Sequence, residues 1–163
     1  MEHKEIYDLL ERVTDPEVPV LSILDLGIVR NVDVIGERPD AEVVVTITPT
    51  YSGCPAMDVL AMGVRLALSG GGYKKVTVRN QISPAWTTDW MSDEGKRKLK
   101  EYGIAPPVRK SDKPQGLFEE ELVPCPRCGS TETELVSRFG PTSCKSLYKC
   151  GSCLEPFEHF KCH

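Results

Sequence analysis

Cys125-Pro126-Arg127-Cys128 and Cys150-Gly151-Ser152-Cys153, two Cys-x-x-Cys pairs with 21 residues between them, decide the fold of the last part of this chain. At this spacing one turn of backbone can direct two thiolates at the same tetrahedral metal ion. Gly129 and Gly151 supply the permissive backbone that such tight turns need. The sequence therefore predicts a zinc ribbon in which Cys125, Cys128, Cys150 and Cys153 hold one structural zinc ion per chain.

The residues between the two pairs support the ribbon but leave its ligand set open. Glu134–Ser137 and Ser146–Lys149 are strand-like and would form the ribbon itself. Four more residues lie close enough in sequence to replace a member of the quartet, or to build an iron–sulfur site instead of a zinc site. They are Cys144, Cys162, His159 and His163. Because a free cysteine often packs as a small hydrophobic residue, the alternative is that these are buried or surface groups.

The composition is that of a globular protein that does not enter a membrane. Of the 163 residues, 40% are hydrophobic and 27% are charged. No run of about 18 apolar residues is present, and the first residues lack the pattern of a signal peptide. We therefore expect a cytoplasmic protein. In that reducing compartment, clustered cysteines indicate metal binding more than disulfides.

The charge argues against nucleic acid as a partner. The formal net charge is −4. Residues 1–122 contribute −5 and residues 123–163 contribute +1. Neither part has the basic surface that binding to phosphate backbones requires.

Hydrophobic periodicity predicts a small mixed α/β domain before the ribbon. Residues 2–13 have the apolar spacing of an amphipathic helix. Two β-branched runs, 28–35 and 41–48, flank a turn and predict a hairpin. A helix is expected from Pro55 to Gly70, followed by a third strand that ends near Asn80.

A short charged helix and a linker are expected to end this domain. Ser92 is a good N-cap for a helix over 93–102, and Gly103 can end that helix in the left-handed conformation. Residues 104–122 are rich in proline and acidic residues and have almost no periodicity, so we assign them to a linker. The predicted domains are residues 1–103 and 123–163, and the overall class is α+β.

Cys54 stands apart from the other cysteines, in the segment Ser52-Gly53-Cys54-Pro55. It follows a predicted strand and precedes a predicted helix, where backbone N–H groups and the helix dipole would lower the pKa of the thiol. Such a thiolate suits a metal ion, a cluster or nucleophilic chemistry. The alternative is a cysteine that merely begins a helix and packs inward.

The residues that could assist Cys54 are few. No histidine lies in the first domain beyond its terminal helix, which argues against thiol-protease-like chemistry. Asp25, in Ile23-Leu24-Asp25-Leu26-Gly27, is a candidate partner for Cys54. It could equally be a turn-forming aspartate.

Two segments, Asp15–Val29 and Thr48–Pro55, resemble the signature segments of the SufT-like iron–sulfur assembly domain. Together with the ribbon at 125–163, they resemble the narrower family of phenylacetate-degradation protein D, whose members are also described as the J subunit of phenylacetate-CoA oxygenase. The resemblance covers nearly the whole chain, including the segments around Cys144 and His159. The expected fold is thus a small iron–sulfur-assembly-like domain followed by a zinc ribbon.

The resemblance implies an accessory protein of the multicomponent oxygenase that epoxidises the ring of phenylacetyl-CoA. Such a protein would help to mature an iron–sulfur cluster or iron centre of the oxygenase or its reductase, and no activity alone is expected. In the wider family the cysteine that matches Cys54 is the functional thiol, and the aspartate that matches Asp25 lies in the other signature segment. Cys54 is therefore expected to bind iron or a cluster transiently, with Asp25 shaping the site.

One thiolate per chain cannot complete a cluster, so other thiols must come from a second chain, from glutathione or from the client protein. A homodimer, or a site that a partner completes, is thus expected. The ribbon would offer a docking surface, with Phe157 and Phe160 as exposed anchors. The alternative function is a non-catalytic structural subunit of the oxygenase. An independent thiol enzyme and a nucleic-acid-binding ribbon fit the sequence less well.

Overall fold

Two compact units make up the chain in a computed structural model that describes residues 2–38, 40–108 and 122–161. Unit 1 comprises Met1–Trp86 and Trp90–Gly95, and unit 2 comprises Thr87–Asp89 and Lys96–His163. Unit 1 carries Cys54 and Asp25, whereas unit 2 carries the four cysteines of the two Cys-x-x-Cys pairs.

Unit 1 is built on a three-stranded sheet in which the predicted hairpin is confirmed. β1 (Val29–Ile35) pairs antiparallel with β2 (Glu42–Ile47), which pairs parallel with β3 (Lys75–Asn80). Val43, Val44, Val45 and Ile47 of β2 are buried, because β2 is the central strand. The β-branched composition of β2 suits this position.

Two helices accompany the sheet. α1 (Glu2–Leu10) ends three residues before the predicted helix does, and it buries Ile6 and Leu10 completely. α2 (Ala56–Gly70) connects β2 to β3, as a parallel strand pair requires. Pro55, expected as the first helical residue, is instead the N-cap of α2.

The capping residues predicted for the charged helix are confirmed. α3 (Asp93–Glu101) begins after Ser92, whose Oγ accepts a hydrogen bond from the Gly95 N–H over 2.9 Å. Gly103 follows the helix with φ of +89°. A glycine adopts this left-handed conformation without the penalty that a β-carbon brings.

Unit 2 contains a four-stranded sheet. One of its two edge strands comes from the segment that we assigned to the linker. β4 (Ile104–Ala105) pairs parallel with β7 (Pro156–Phe160), followed by β6 (Lys145–Cys150) and β5 (Thr133–Ser137) in antiparallel pairs. The linker therefore does not begin at residue 104. Its residues 109–121 lie outside the described part of the chain.

A small apolar core explains why β4 joins this sheet. Ala105 is 1% exposed and belongs to a buried cluster that includes residues from both cysteine pairs. The other members are Val123, Cys125, Tyr148, Cys150 and Phe157. With so few core residues, the ribbon gains from a strand contributed by an earlier segment.

The expectation that Phe157 and Phe160 are exposed anchors is wrong. They are 4% and 2% exposed, and Phe157 stacks on Tyr148 with 5.7 Å between the ring centroids. Both side chains come from β7, a strand that the sequence analysis did not predict. Their apolar area stabilises unit 2 instead of facing a partner.

No helix in the described part of the chain combines the length and apolar character needed to cross a membrane.

Candidate metal centre and the Cys54 site

Four thiols of unit 2 converge on one point. The Sγ atoms of Cys125, Cys128, Cys150 and Cys153 all lie within 4.8 Å of one another. Cys125 and Cys153 are 3.8 Å apart, and Cys128 and Cys150 are 3.6 Å apart. Sulfurs bound tetrahedrally to zinc at about 2.3 Å would be separated by about 3.8 Å. The arrangement thus fits a tetrahedral metal ion.

The two cysteine turns share one backbone design. The first N–H of each turn donates to the carbonyl five residues later, Cys125 to Ser130 over 2.9 Å and Cys150 to Glu155 over 3.0 Å. The residue after the second cysteine is left-handed in both turns, at φ of 76° for Gly129 and 65° for Leu154. The two turns thus present their thiols by the same local geometry, and the four Sγ atoms meet within 4.8 Å of one another.

The acid–base properties of the thiols also favour a bound cation. Hydrogen bonding from the Cys153 backbone N–H lowers the pKa of Cys150 to about 6. The Glu155 backbone N–H lowers the pKa of Cys153, but burial and the neighbouring thiols outweigh it and raise this pKa to about 12. Crowded thiolates repel one another, and a divalent cation removes that conflict. The four residues therefore fit zinc, which would supply structural stability.

The structure separates two of the other candidate ligands from this centre. Cys144 is buried, with its Sγ 3.1 Å from the Thr142 hydroxyl, and His159 is buried with its ring edge-on to Tyr148. Among the described residues, only one group of three or more potential ligands is close enough to hold a metal ion, and it consists of these four cysteines. Cys162 and His163 lie outside those residues.

Cys54 lies in the turn that leads into α2 and is partly exposed. Gly53, with φ of +78°, lets the chain reverse there, and the Cys54 N–H donates to the Tyr51 carbonyl over 3.3 Å. The Ala56 N–H and the Tyr51 hydroxyl both interact with the thiol. The thiol is thus reachable from solvent at the beginning of a helix.

The expectation that the pKa of Cys54 is lowered overall is wrong. Burial of the thiol raises its pKa above the ordinary value of 9.0, and the carboxylates of Glu17 and Asp15 raise it further. The hydrogen bonds from Ala56 and Tyr51 oppose this shift but do not overcome it. Cys54 is therefore a neutral thiol near pH 7.

Asp25 lies in a buried hydrogen-bond network and is 5% exposed. Its Oδ2 accepts from the Ser22 N–H over 3.1 Å, and its Oδ1 accepts from the Ser92 hydroxyl over 3.0 Å. The Asp25 N–H donates to the Ser22 hydroxyl over 3.0 Å, and its carbonyl accepts from the Ser92 N–H over 2.9 Å. These bonds join the turn at 22–27 to the beginning of α3.

Three residues that surround these sites were not predicted from the sequence to belong to them. Asp15 and Glu17, the acidic groups near Cys54, belong to the first signature segment but were not assigned to the site. Ser92 was identified only as a helix cap, although its hydroxyl also donates to Asp25. The acidic pattern Asp15-Pro16-Glu17 was the available signal for the first two.

Two family models cover most of the chain. The model described as an iron–sulfur cluster assembly protein matches residues 3–79, which include Cys54 and Asp25. The model described as the PaaD zinc beta ribbon domain matches residues 109–161, which include the four-cysteine centre. The chain thus combines an iron–sulfur cluster assembly domain with a zinc β-ribbon.

A full-length relative narrows this class. The chain is 50% identical over 161 residues to an Escherichia coli K12 protein described as a putative subunit of 1,2-phenylacetyl-CoA epoxidase, covering 97% of this chain and 92% of that protein. The chain belongs to the family of this epoxidase subunit, and the resemblance read from its sequence is confirmed.

Other relatives match a little over half of the chain. A Porphyromonas gingivalis protein described as an "Fe-S protein maturation auxiliary factor" is 39% identical over 97 residues, covering 59% of this chain and 89% of that protein. The crystal structure of a DUF59 domain from Bacillus anthracis has a TM-score of 0.52 and 31% identity, covering 59% of this chain and 89% of that chain. The assembly domain is therefore also found in shorter proteins, and the match covers 89% of the length of each.

Proposed function

We propose that this protein is an accessory component of a phenylacetyl-CoA epoxidase, and that it assists the maturation of an iron–sulfur cluster or iron centre in the oxygenase or its reductase. The observation that carries this proposal is the identity of 50% to the E. coli epoxidase subunit across 97% of the chain. The second likeness, to the maturation factor of P. gingivalis, supports maturation as the task of the first domain.

Cys54 is the ligand that we assign to the transferred iron or cluster. Its raised pKa means that binding must displace a proton from the thiol, which weakens binding at neutral pH and favours release. The carboxylates of Glu17 and Asp15, which disfavour the thiolate, attract a cation to the same place. These two effects together suit a carrier that holds iron briefly.

Asp25 has a supporting role in this proposal, since its bonds hold the turn that leads to Ile28. The Ile28 carbonyl accepts from the Thr48 N–H over 2.8 Å, and Thr48 begins the segment that leads to Cys54. Asp25 would thus shape the position of Cys54 through the backbone. The remaining thiols of a cluster would come from a second chain, a small thiol or the client.

Anaerobic reconstitution with iron and sulfide tests the carrier role. The Cys54→Ala variant should bind less iron and sulfide than the parent and should support less oxygenase activity in a maturation assay. Cys144→Ala is the matched control, because Cys144 is a buried thiol that does not belong to the four-cysteine cluster. Equal iron content and equal oxygenase activity for Cys54→Ala would overturn the assignment.

The description of the E. coli relative as a subunit favours a second candidate function, a non-catalytic structural subunit of the epoxidase. The two functions differ in what happens after maturation. A structural subunit copurifies stoichiometrically with the active oxygenase, and its removal abolishes activity. A maturation factor can be removed from the mature oxygenase without loss of activity.

A further inference from the structure

α2 carries two apolar stripes, of which unit 1 uses one. The buried stripe consists of Ala56, Met57, Leu60, Val64 and Leu68. The second stripe consists of Val59, Met62 and Leu66, which are 57%, 53% and 66% exposed. An amphipathic helix normally presents polar residues opposite its buried face. The second stripe is therefore an unpartnered apolar surface on a well-packed helix.

The flanks of the exposed stripe differ. On one side lies Gly63, where an added β-carbon would come within 2.9 Å of Val13 Cγ1, so this side is closed by the segment after α1. On the other side lie Asp58 and Arg65, both exposed. They are seven residues, or about two turns, apart, and therefore lie on the same side of the helix.

This charge pattern is self-complementary when two copies of the helix run in opposite directions. The midpoint between Asp58 and Arg65 nearly coincides with Met62, the middle of the apolar stripe. A twofold axis perpendicular to the helix near Met62 brings Asp58 to within about 1.5 Å, along the helix axis, of the level of the partner's Arg65, and Arg65 equally near the level of the partner's Asp58. It also brings Val59 onto the partner's Leu66. In a parallel pair, Asp58 would lie level with the partner's Asp58, and Arg65 with the partner's Arg65. Neither ion pair would then form.

We propose that α2 pairs antiparallel with α2 of a second copy of this chain, through Val59, Met62 and Leu66. Such an interface is isologous, the usual form of a homodimer contact. Three side chains and two ion pairs make a small contact compared with stable complexes. The dimer should therefore form reversibly over micromolar concentrations.

The arrangement has a consequence for Cys54, although the pairing rests on α2 alone and stands whether or not Cys54 binds iron. Cys54 precedes Met62 by eight residues, or about 12 Å along the helix axis. Antiparallel pairing places the two Cys54 thiols at opposite ends, about 24 Å apart along that axis. This dimer cannot share one cluster between its two thiols, so a small thiol or the client must complete each site.

Sedimentation equilibrium of the zinc-loaded full chain over a concentration series tests the pairing. Met62→Glu places two carboxylates face to face on the twofold axis and should raise the dimer dissociation constant by about tenfold or more. Ile82→Glu is the matched control, since Ile82 is an apolar side chain outside α2 that is 70% exposed. It should leave the constant unchanged.

A charge exchange distinguishes antiparallel self-association from other contacts. Asp58→Arg alone and Arg65→Asp alone should each weaken the dimer about threefold or more, because like charges then face each other. The double variant should restore the parental constant. A chain that stays monomeric at all concentrations would overturn the proposal, as would association that Met62→Glu does not affect. So would a monomer whose stripe instead binds an oxygenase component.

Discussion

The Ser92 hydroxyl donates to Asp25 Oδ1 over 3.0 Å while it accepts from the Gly95 N–H over 2.9 Å. A single oxygen thus caps a helix and anchors a buried carboxylate. The turn that contains Asp25 is held to the beginning of α3 by this oxygen and by the Ser92 N–H. The structural importance of Asp25 rests on these contacts.

Replacement of Asp25 should destabilise unit 1. Asp25→Ala removes both acceptors and leaves the Ser22 N–H and the Ser92 hydroxyl unpaired, with an expected loss of about 2–3 kcal/mol in the free energy of unfolding. Asp25→Asn keeps one acceptor and should lose less. Both tryptophans lie in unit 1, so urea denaturation followed by tryptophan fluorescence reports on it. Asp33→Ala, at an exposed position, should change the unfolding energy by less than about 0.5 kcal/mol.

Gly27 should tolerate no side chain. Its φ is +66°, and an added β-carbon would lie 2.0 Å from the Trp90 carbonyl oxygen. Gly27→Ala should therefore cost about 3 kcal/mol or more, from backbone strain and steric overlap together. Gly72→Ala is a control for strain alone, because its φ is +91° and nothing lies within 4 Å of the added carbon. Equal unfolding energies for the two variants would contradict the overlap.

Unit 2 should depend on its metal ion. Elemental analysis of purified protein should find one zinc per chain, and the Cys125→Ser, Cys150→Ser double variant should bind none. Because metal binding contributes to the folding energy of such small domains, chelation should abolish the structure of unit 2 in NMR spectra. Cys144→Ser should retain zinc. Iron in place of zinc, or metal retained by the double variant, would show that the site is wrongly assigned.

The reactivity of Cys54 should increase with pH over an unusually high range. Since its pKa lies above 9.0, the thiolate fraction should grow about tenfold per pH unit from pH 7 to pH 9. Alkylation by iodoacetamide, measured by mass spectrometry of the Cys54 peptide, should follow this rise. The same peptide in urea-unfolded protein should react faster at pH 7. A plateau below pH 8 in the folded protein would show that the pKa is lowered after all.

Leu154 occupies a position where glycine would be more stable. Its φ of 65° is the conformation that the first cysteine turn gives to Gly129. Leu154→Gly should stabilise unit 2 by about 0.5–1 kcal/mol, since the relief of strain exceeds the added entropy of the unfolded chain. Gly129→Ala should have the opposite effect. Thermal unfolding of the zinc-loaded protein, followed by circular dichroism, measures both changes.

Local sequence signals predicted those helices and strands whose periodicity and capping residues lie within the element itself or next to it. The hairpin of β1 and β2, α2, and the caps Ser92 and Gly103 depend on neighbouring residues, and the structure confirms them. β4 has only two residues, and β7 combines buried phenylalanines with charged and polar neighbours. These two strands are specified by pairing with distant segments, which a local pattern does not contain.

At the two sites, too, the sequence predicted what depends on local spacing and did not predict what depends on distant residues. The spacing of four cysteines predicted their convergence, because ligand geometry at zinc is narrow. The predicted direction of the Cys54 pKa shift was wrong. The shift depends on burial of the thiol and on carboxylates more than 35 residues earlier in the chain. Neither can be estimated from the sequence around Cys54.

The parallel pairing of β4 with β7 limits how this chain can be cut or recombined. A fragment that begins at Val123 would retain all four cysteines of the quartet but would lose Ala105 from the core. It would also leave β7 as an open sheet edge, which invites association with other strands. Transfer of the ribbon to another protein should therefore include Ile104 and Ala105, so that the inherited module is longer than its metal-binding motif.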